Sequence, residues 1–209
     1  PLSVARQLVA AGSRWIHVVD LDAARTGRPT NCLAIARVCQ GVPAAVQVGG
    51  GIRNDQAAEA ALGVGAARVV VGSAALEDWE WFGRLVERQD MRGKVALALD
   101  VRGGRLLLHG WTEPAGVGVK EAARRASALD LAAIVYTDVT RDGMLTGPDV
   151  ETASELAAWT HLDVIVSGGV STLEDILCCK QAGCAGVIVG RAYYEGRIDL
   201  RAACALARA

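Results

Sequence analysis

Val46-Gln47-Val48-Gly49-Gly50-Gly51-Ile52 lines up with Val164-Ile165-Val166-Ser167-Gly168-Gly169-Val170 at an offset of 118 residues (164 − 46). Without a gap, Val69-Val70-Val71-Gly72-Ser73-Ala74 then meets Val187-Ile188-Val189-Gly190-Arg191-Ala192, and Gly65 meets Gly183. Each copy reads as strand, glycine-rich turn, helix, strand and second glycine turn, a βαβ unit with a glycine turn at both strand ends. Where a strand hands over to a helix, such a turn presents backbone N–H groups to an anion. Two copies imply two phosphate sites related by a pseudo-twofold axis, and hence a ligand with a phosphate at each end.

The same alternation runs through the whole chain. Strands are expected over Trp15–Asp20, Ala44–Val48, Arg68–Val71, Val95–Asp100, Ala133–Thr137, Val164–Ser167 and Gly186–Val189. Their nearly continuous apolar character suits parallel strands buried on both faces. Helix-like patterns fall near 2–11, 32–40, 55–63, 78–88, 118–128, 149–159, 172–182 and 198–207, the seventh opening on Ser171 or Thr172 ahead of Glu174 and Asp175 as an N-cap signature. Gly103-Gly104 opens a turn, with Arg105–His109 extending as a short hairpin arm. Nothing resembles a linker, so residues 1–209 form one domain. Seven strands among eight helices fall one strand short of a (β/α)8 TIM barrel built as two half-barrels. Because the chain opens on a helix and 100 − 118 falls before Pro1, the first strand is expected upstream, on roughly 30 further residues, the length of a strand and its loop.

Bulk properties narrow the function classes. With 209 residues and 52% apolar content the chain can bury a large core. A net charge of −1 argues against nucleic-acid or polybasic membrane contact, and no apolar run approaches a membrane span. The six cysteines form no C-x-x-C pair and stand near no histidine cluster, which reads as free thiols in a reducing cytoplasm. Scattered His17, His109 and His161 give no reason to expect a metal.

In a barrel of this class the C-terminal strand ends carry the chemistry. The candidates there are Asp20, the turn at Gly50 and Gly51, Gly72-Ser73, Asp100, Thr137, Gly168-Gly169 and Gly190-Arg191, with Asp142 in the loop Thr140-Arg141-Asp142-Gly143. Asp100 ends the run Val95-Ala96-Leu97-Ala98-Leu99, so partial desolvation should raise its pKa and suit a general acid, although a helix cap or turn aspartate is the simpler reading. Asp142 precedes a glycine and reads equally as a turn former. Asp20 and its repeat mate Asp138 could bind substrate hydroxyls or cap the segments that follow. Trp111 could stack on a flat heterocycle or pack the arm against the barrel.

His17–Asp22, Val46–Arg53, Leu97–Asp100, Thr137–Gly143 and Val189–Ala192 together resemble the phosphoribosyl isomerases of histidine biosynthesis (the phosphoribosylformimino-5-aminoimidazole carboxamide ribotide isomerases), over essentially the whole chain. The sister cyclase subunit of imidazole glycerol phosphate synthase shares the duplication but differs around Thr137–Gly147. The resemblance implies an Amadori rearrangement of a bis-phosphorylated aminoimidazole carboxamide ribonucleotide, with no metal or organic cofactor. It assigns the acid to Asp100, assisted by Asp142 and Thr137, and in some relatives to the aspartate matching Asp142. The base is an aspartate of the first strand. One phosphate is expected on Gly50, Gly51, Gly72 and Ser73, the other on Gly168, Gly169, Gly190 and Arg191. A cytoplasmic monomer is expected.

Asp20–Ala24 and Gly143–Asp149 resemble the actinobacterial branch, whose members also isomerise phosphoribosyl anthranilate for tryptophan biosynthesis. Those dual enzymes carry an arginine where this chain has His109, and a neutral imidazole is the poorer partner for a carboxylate. The expectation is a histidine-pathway enzyme with weak or no anthranilate activity. Two alternatives are a dual-substrate isomerase and a catalytically impaired barrel that binds sugar phosphates.

Overall fold

The computed structural model describes residues 1–208. Helix α1 (Leu2–Ala10) leads into β1 (Trp15–Val19), short α2 (Leu21–Thr26) and α3 (Cys32–Gly41). Next come β2 (Ala45–Gly49), α4 (Asp55–Gly63), β3 (Arg68–Val71), α5 (Ser73–Glu77) and α6 (Trp79–Glu87). Strand β4 (Val95–Arg102) runs on into an arm of β5 (Arg105–Leu108) and β6 (Glu113–Pro114), followed by α7 (Val119–Ala126) and β7 (Ala133–Asp138). The chain then forms α8 (Val150–Thr160), β8 (Val164–Ser167), α9 (Leu173–Gln181), β9 (Gly186–Val187), α10 (Arg191–Tyr194) and α11 (Leu200–Arg208). The helix starts follow from their capping residues. Asn54, Asp78 and Asp149 each accept a backbone N–H three residues on, and Thr172 with Asp175 forms a reciprocal capping box.

Seven strands pair in parallel in the order β1-β2-β3-β4-β7-β8-β9, with β5 antiparallel to the end of β4. This is the curled, helix-flanked sheet of a (β/α)8 barrel. Among the described residues β1 pairs only with β2 and β9 only with β8, leaving Trp15 and Val19 49% and 44% exposed on the free edge. Strand β9 is shorter than the expected Gly186–Val189: the Ile188 N–H still donates to Val166 O at 2.8 Å, but with no neighbour on its other side the ladder ends there. No helix among the described residues is long and apolar enough to cross a membrane.

Side chains alternate by size across the strands. Val95, Leu97, Leu99 and Val101 of β4 pack outward with Phe82, Leu85 and Ala122 of the helical layer, whereas Ala96 packs inward with Val70, Ala133 and Val135. On β4 the larger residues thus fill the space between sheet and helices, and the alanines face the interior. Successive side chains of a strand point to opposite faces, so Asp100, in phase with Ala96 and Ala98, aims into the barrel. Deeper in the interior Arg68 donates twice to Gln47 Oε1 (3.0 and 2.6 Å), leaving the Gln47 amide to donate to His17 Nδ1 at 2.8 Å. Burial, then the Arg68 charge, push the His17 pKa down to about 4, so the ring is neutral at physiological pH. His17 is therefore a hydrogen-bonded interior residue rather than part of the rim.

Candidate active site

Strand register sets the rim of the barrel mouth. Asp100 lies opposite Thr137, and Thr137 opposite Ser167, all at the C-terminal ends of their strands. Burial raises the Asp100 pKa above the usual carboxylate range. The side chains of Trp111 and Thr137 offer it hydrogen-bond donors, which pull the other way, and the negative charge of Asp142 pushes it up further. Asp142 stands on the exposed loop beyond β7, where partial desolvation also raises its pKa against a hydrogen bond from Gly143. Two carboxylates of raised proton affinity thus lie near enough to feel each other's charge, and each can carry the proton that acid catalysis needs.

The repeat seen in sequence is repeated in backbone geometry. Gly50 and Gly168 have φ of 91° and 90°, and Gly51 and Gly169 have 74° and 84°, values that side chains rarely adopt. A Cβ on Gly50 would meet the carbonyl of Asp20, and one on Gly168 the carbonyl of Asp138, its repeat mate. The second turns match as well: Gly72 has φ −109° and ψ −107°, and Gly190 −105° and −101°. Gly49 pairs with Val70, and Val166 with Val187, so each pair of turns emerges from adjacent strand ends. The first N–H groups of α5 and α10 have no acceptor within their own helices. The mouth therefore carries two like arrangements of backbone donors, with Asp100 and Thr137 on the strands between them.

Other candidates fall into different roles. Asp20 is 5% exposed, and its carboxylate accepts Ala23 N–H (2.9 Å), Asn31 Nδ2 (2.8 Å) and Asn31 N–H (3.2 Å). Desolvation raises its pKa, but these hydrogen bonds outweigh it and leave the value below normal. Of the two readings open from the sequence, substrate contact or cap, the structure gives Asp20 the cap of α2. Asp138 does the same for its own loop, accepting Thr140 N–H and Oγ1 at 2.9 and 2.6 Å and Arg141 Nε at 3.0 Å. The Arg191 side chain bonds Glu195 and the Gly143 carbonyl (2.7 Å), tying the Asp142 loop to α10. Trp111, half-buried on the arm, offers a donor to Asp100. Ser73 Oγ accepts the His109 N–H at 2.8 Å, and Glu77 Oε1 meets His109 Nε2 at 2.9 Å. Glu77 was missed in sequence because it falls between the expected strand and the helix pattern at 78–88, and only the folded arm brings His109 over it. A separate cavity of about 570 Å³, lined by Gly118, Tyr136, Asp149 and Trp159 among others, lies outside the mouth.

A family model described as histidine biosynthesis protein matches residues 1–199. The chain belongs to this histidine biosynthesis protein family. A protein of Rhodospirillum rubrum is 42% identical over 209 residues, 99% of this chain and 86% of the relative. One of Ruminiclostridium cellulolyticum is 39% identical over 203 residues (97% and 85%), and one of Anaeromyxobacter sp. strain K 43% identical over 200 (96% and 83%). All three are named 1-(5-phosphoribosyl)-5-((5-phosphoribosylamino)methylideneamino) imidazole-4-carboxamide isomerase.

Proposed function

We propose that this chain is an aldose–ketose isomerase that carries out the Amadori rearrangement named in these relatives, on a ribonucleotide with a phosphate at each end. Asp100 protonates the ribose ring oxygen as the C1–O bond opens, and a base then removes the C2 proton, so that the aminoaldose leaves as an aminoketose with no net oxidation. Thr137 and Trp111 orient the Asp100 carboxyl, and burial, with a smaller push from the Asp142 charge, keeps its proton affinity high. Gly50, Gly51, Gly72 and Ser73 hold one phosphate through backbone and hydroxyl donors, and Gly168, Gly169 and Gly190 hold the other. Arg191 acts at this second site through the Gly143 carbonyl that it anchors. The single observation that carries this reading is the position of Asp100, desolvated and facing inward between two turn pairs of matching backbone geometry.

The free edges of β1 and β9 call for one more parallel strand to close the barrel, and we place the base on that strand. The protein acts as a monomer, which sedimentation tests. Phosphoribosyl anthranilate is a poor substrate in this reading: the His109 ring is committed to Glu77, so an approaching carboxylate meets a negative neighbour instead of a cationic fork. Turnover assays on both substrates with protein of verified mass decide the matter. Isomerisation of the aminoimidazole carboxamide ribonucleotide alone is expected, equal rates on both would establish a dual enzyme, and tight binding without turnover of either would leave a phosphate-binding barrel.

A further inference from the structure

The tip of the β5–β6 arm holds three successive residues at positive φ: His109 at 51°, Gly110 at 65° and Trp111 at 74°. Two of them carry side chains, for which this region is unfavourable, so contacts elsewhere must hold the turn. Those contacts converge on His109. Its N–H donates to Ser73 Oγ at 2.8 Å, its carbonyl accepts Thr112 Oγ1 at 3.0 Å, and its Nε2 meets Glu77 Oε1 at 2.9 Å. Ser73 and Glu77 are the first and last residues of α5, the helix that opens on the glycine turn at Gly72. Two residues beyond His109, Trp111 offers its indole to Asp100. The arm is thus fastened at one point to the helix behind a phosphate turn and reaches the acid at another. The Ser73 hydroxyl accepts from His109 and keeps its own proton free to donate to an anion in that turn.

We propose that His109 and Glu77 are positioning residues that clamp the arm to α5 and thereby hold Trp111 against Asp100. The catalytic consequence rests on the reading of Asp100 as the acid; the clamp itself is a statement about the arm. The test uses Glu77→Ala, His109→Ala and the conservative Glu77→Gln, whose amide oxygen still accepts from Nε2–H. Acrylamide quenching of the Trp111 emission, obtained as the difference between the parent and Trp111→Phe, should rise in both alanine variants and stay at the parent level in Glu77→Gln. On the bis-phosphorylated substrate, Glu77→Ala should lower kcat by about tenfold or more, as displacement of an orienting group does, with KM within about threefold and with activity restored in Glu77→Gln. In a Trp111→Phe background the same change should cost nothing further, because its effect runs through that indole. Unchanged quenching in Glu77→Ala, or an equal loss of kcat in both backgrounds, overturns the proposal. Quenching that responds in a parent protein without turnover upholds the clamp and overturns the isomerase reading instead.

Discussion

Replacing Asp100 by Asn separates chemistry from stability. Asn keeps the shape of the side chain and its neighbours Thr137 and Trp111, but it cannot deliver a proton to a ring oxygen. A positioned general acid contributes about 10²–10⁴-fold, or roughly 2.7–5.4 kcal/mol of transition-state stabilisation, so kcat should fall by that factor. KM should stay within about threefold, since the phosphates are held by the glycine turns. Stability should move the other way. Burial raises the Asp100 pKa in the folded state above its unfolded value. Between those two values the folded protein binds the extra proton, so stability falls as pH rises from the ordinary carboxylate range through the raised folded value. Asn removes this loss, by about 1.4 kcal/mol for each tenfold difference in proton affinity between the two states. Urea unfolding should therefore show Asp100→Asn to be the more stable protein at pH 7, with the advantage shrinking as pH falls and vanishing by the ordinary carboxylate range. A variant that keeps more than a tenth of the parent kcat would refute Asp100 as the acid and move that role to Asp142. One that is destabilised at pH 7 would refute the burial argument.

Gly51→Ala and its repeat mate Gly169→Ala force a side chain onto φ values of 74° and 84° and against Ala23 and the Gly147 carbonyl respectively. Each should lose about 1–3 kcal/mol in urea unfolding and should also raise KM, whereas loss of stability alone would argue against phosphate at that turn. Asp20→Ala removes the α2 cap and the anchor of Asn31, and should lower stability by about 1–2 kcal/mol at pH 7. Because the folded pKa of Asp20 is depressed, its contribution is present above the ordinary carboxylate range and disappears as pH falls through that lowered value, so parent and variant should converge in acid. Tyr136→Phe deletes the hydroxyl that donates to Asp149 Oδ2 at 2.6 Å and should cost about 1.5–3 kcal/mol without touching kcat, because this contact lies on the outer face of β7.

What could be read from the sequence was whatever repeats locally. The offset between Gly50 and Gly168 reappears in their φ angles, and the size alternation in Val95-Ala96-Leu97-Ala98-Leu99 is the alternation of outer packing and barrel interior. Asp20 and Asp100 could not be told apart in the same way. Each closes an apolar strand, and only the folded loop shows that Asn31 and the Ala23 amide claim one of them while the other faces the mouth. The bonds of the Arg191 side chain to Glu195, one helical turn on, and to the Gly143 carbonyl were likewise not legible, because the second partner lies on a distant loop. The His109–Glu77 contact depends on how an eight-stranded plan is interrupted by the arm, and no short-range pattern encodes that. Strand β9 ended early because a strand's length is set by its neighbours as well as by its residues.

The most direct test of the account is a crystal structure of the protein with the bis-phosphorylated ketose product bound. The account predicts one phosphate on the Gly50–Gly51 and Gly72–Ser73 turns, the other on the Gly168–Gly169 and Gly190 turns, and the opened ribose within hydrogen-bond distance of the Asp100 carboxyl. A product bound through a single turn pair, or with its ribose closer to Asp142 than to Asp100, would contradict it.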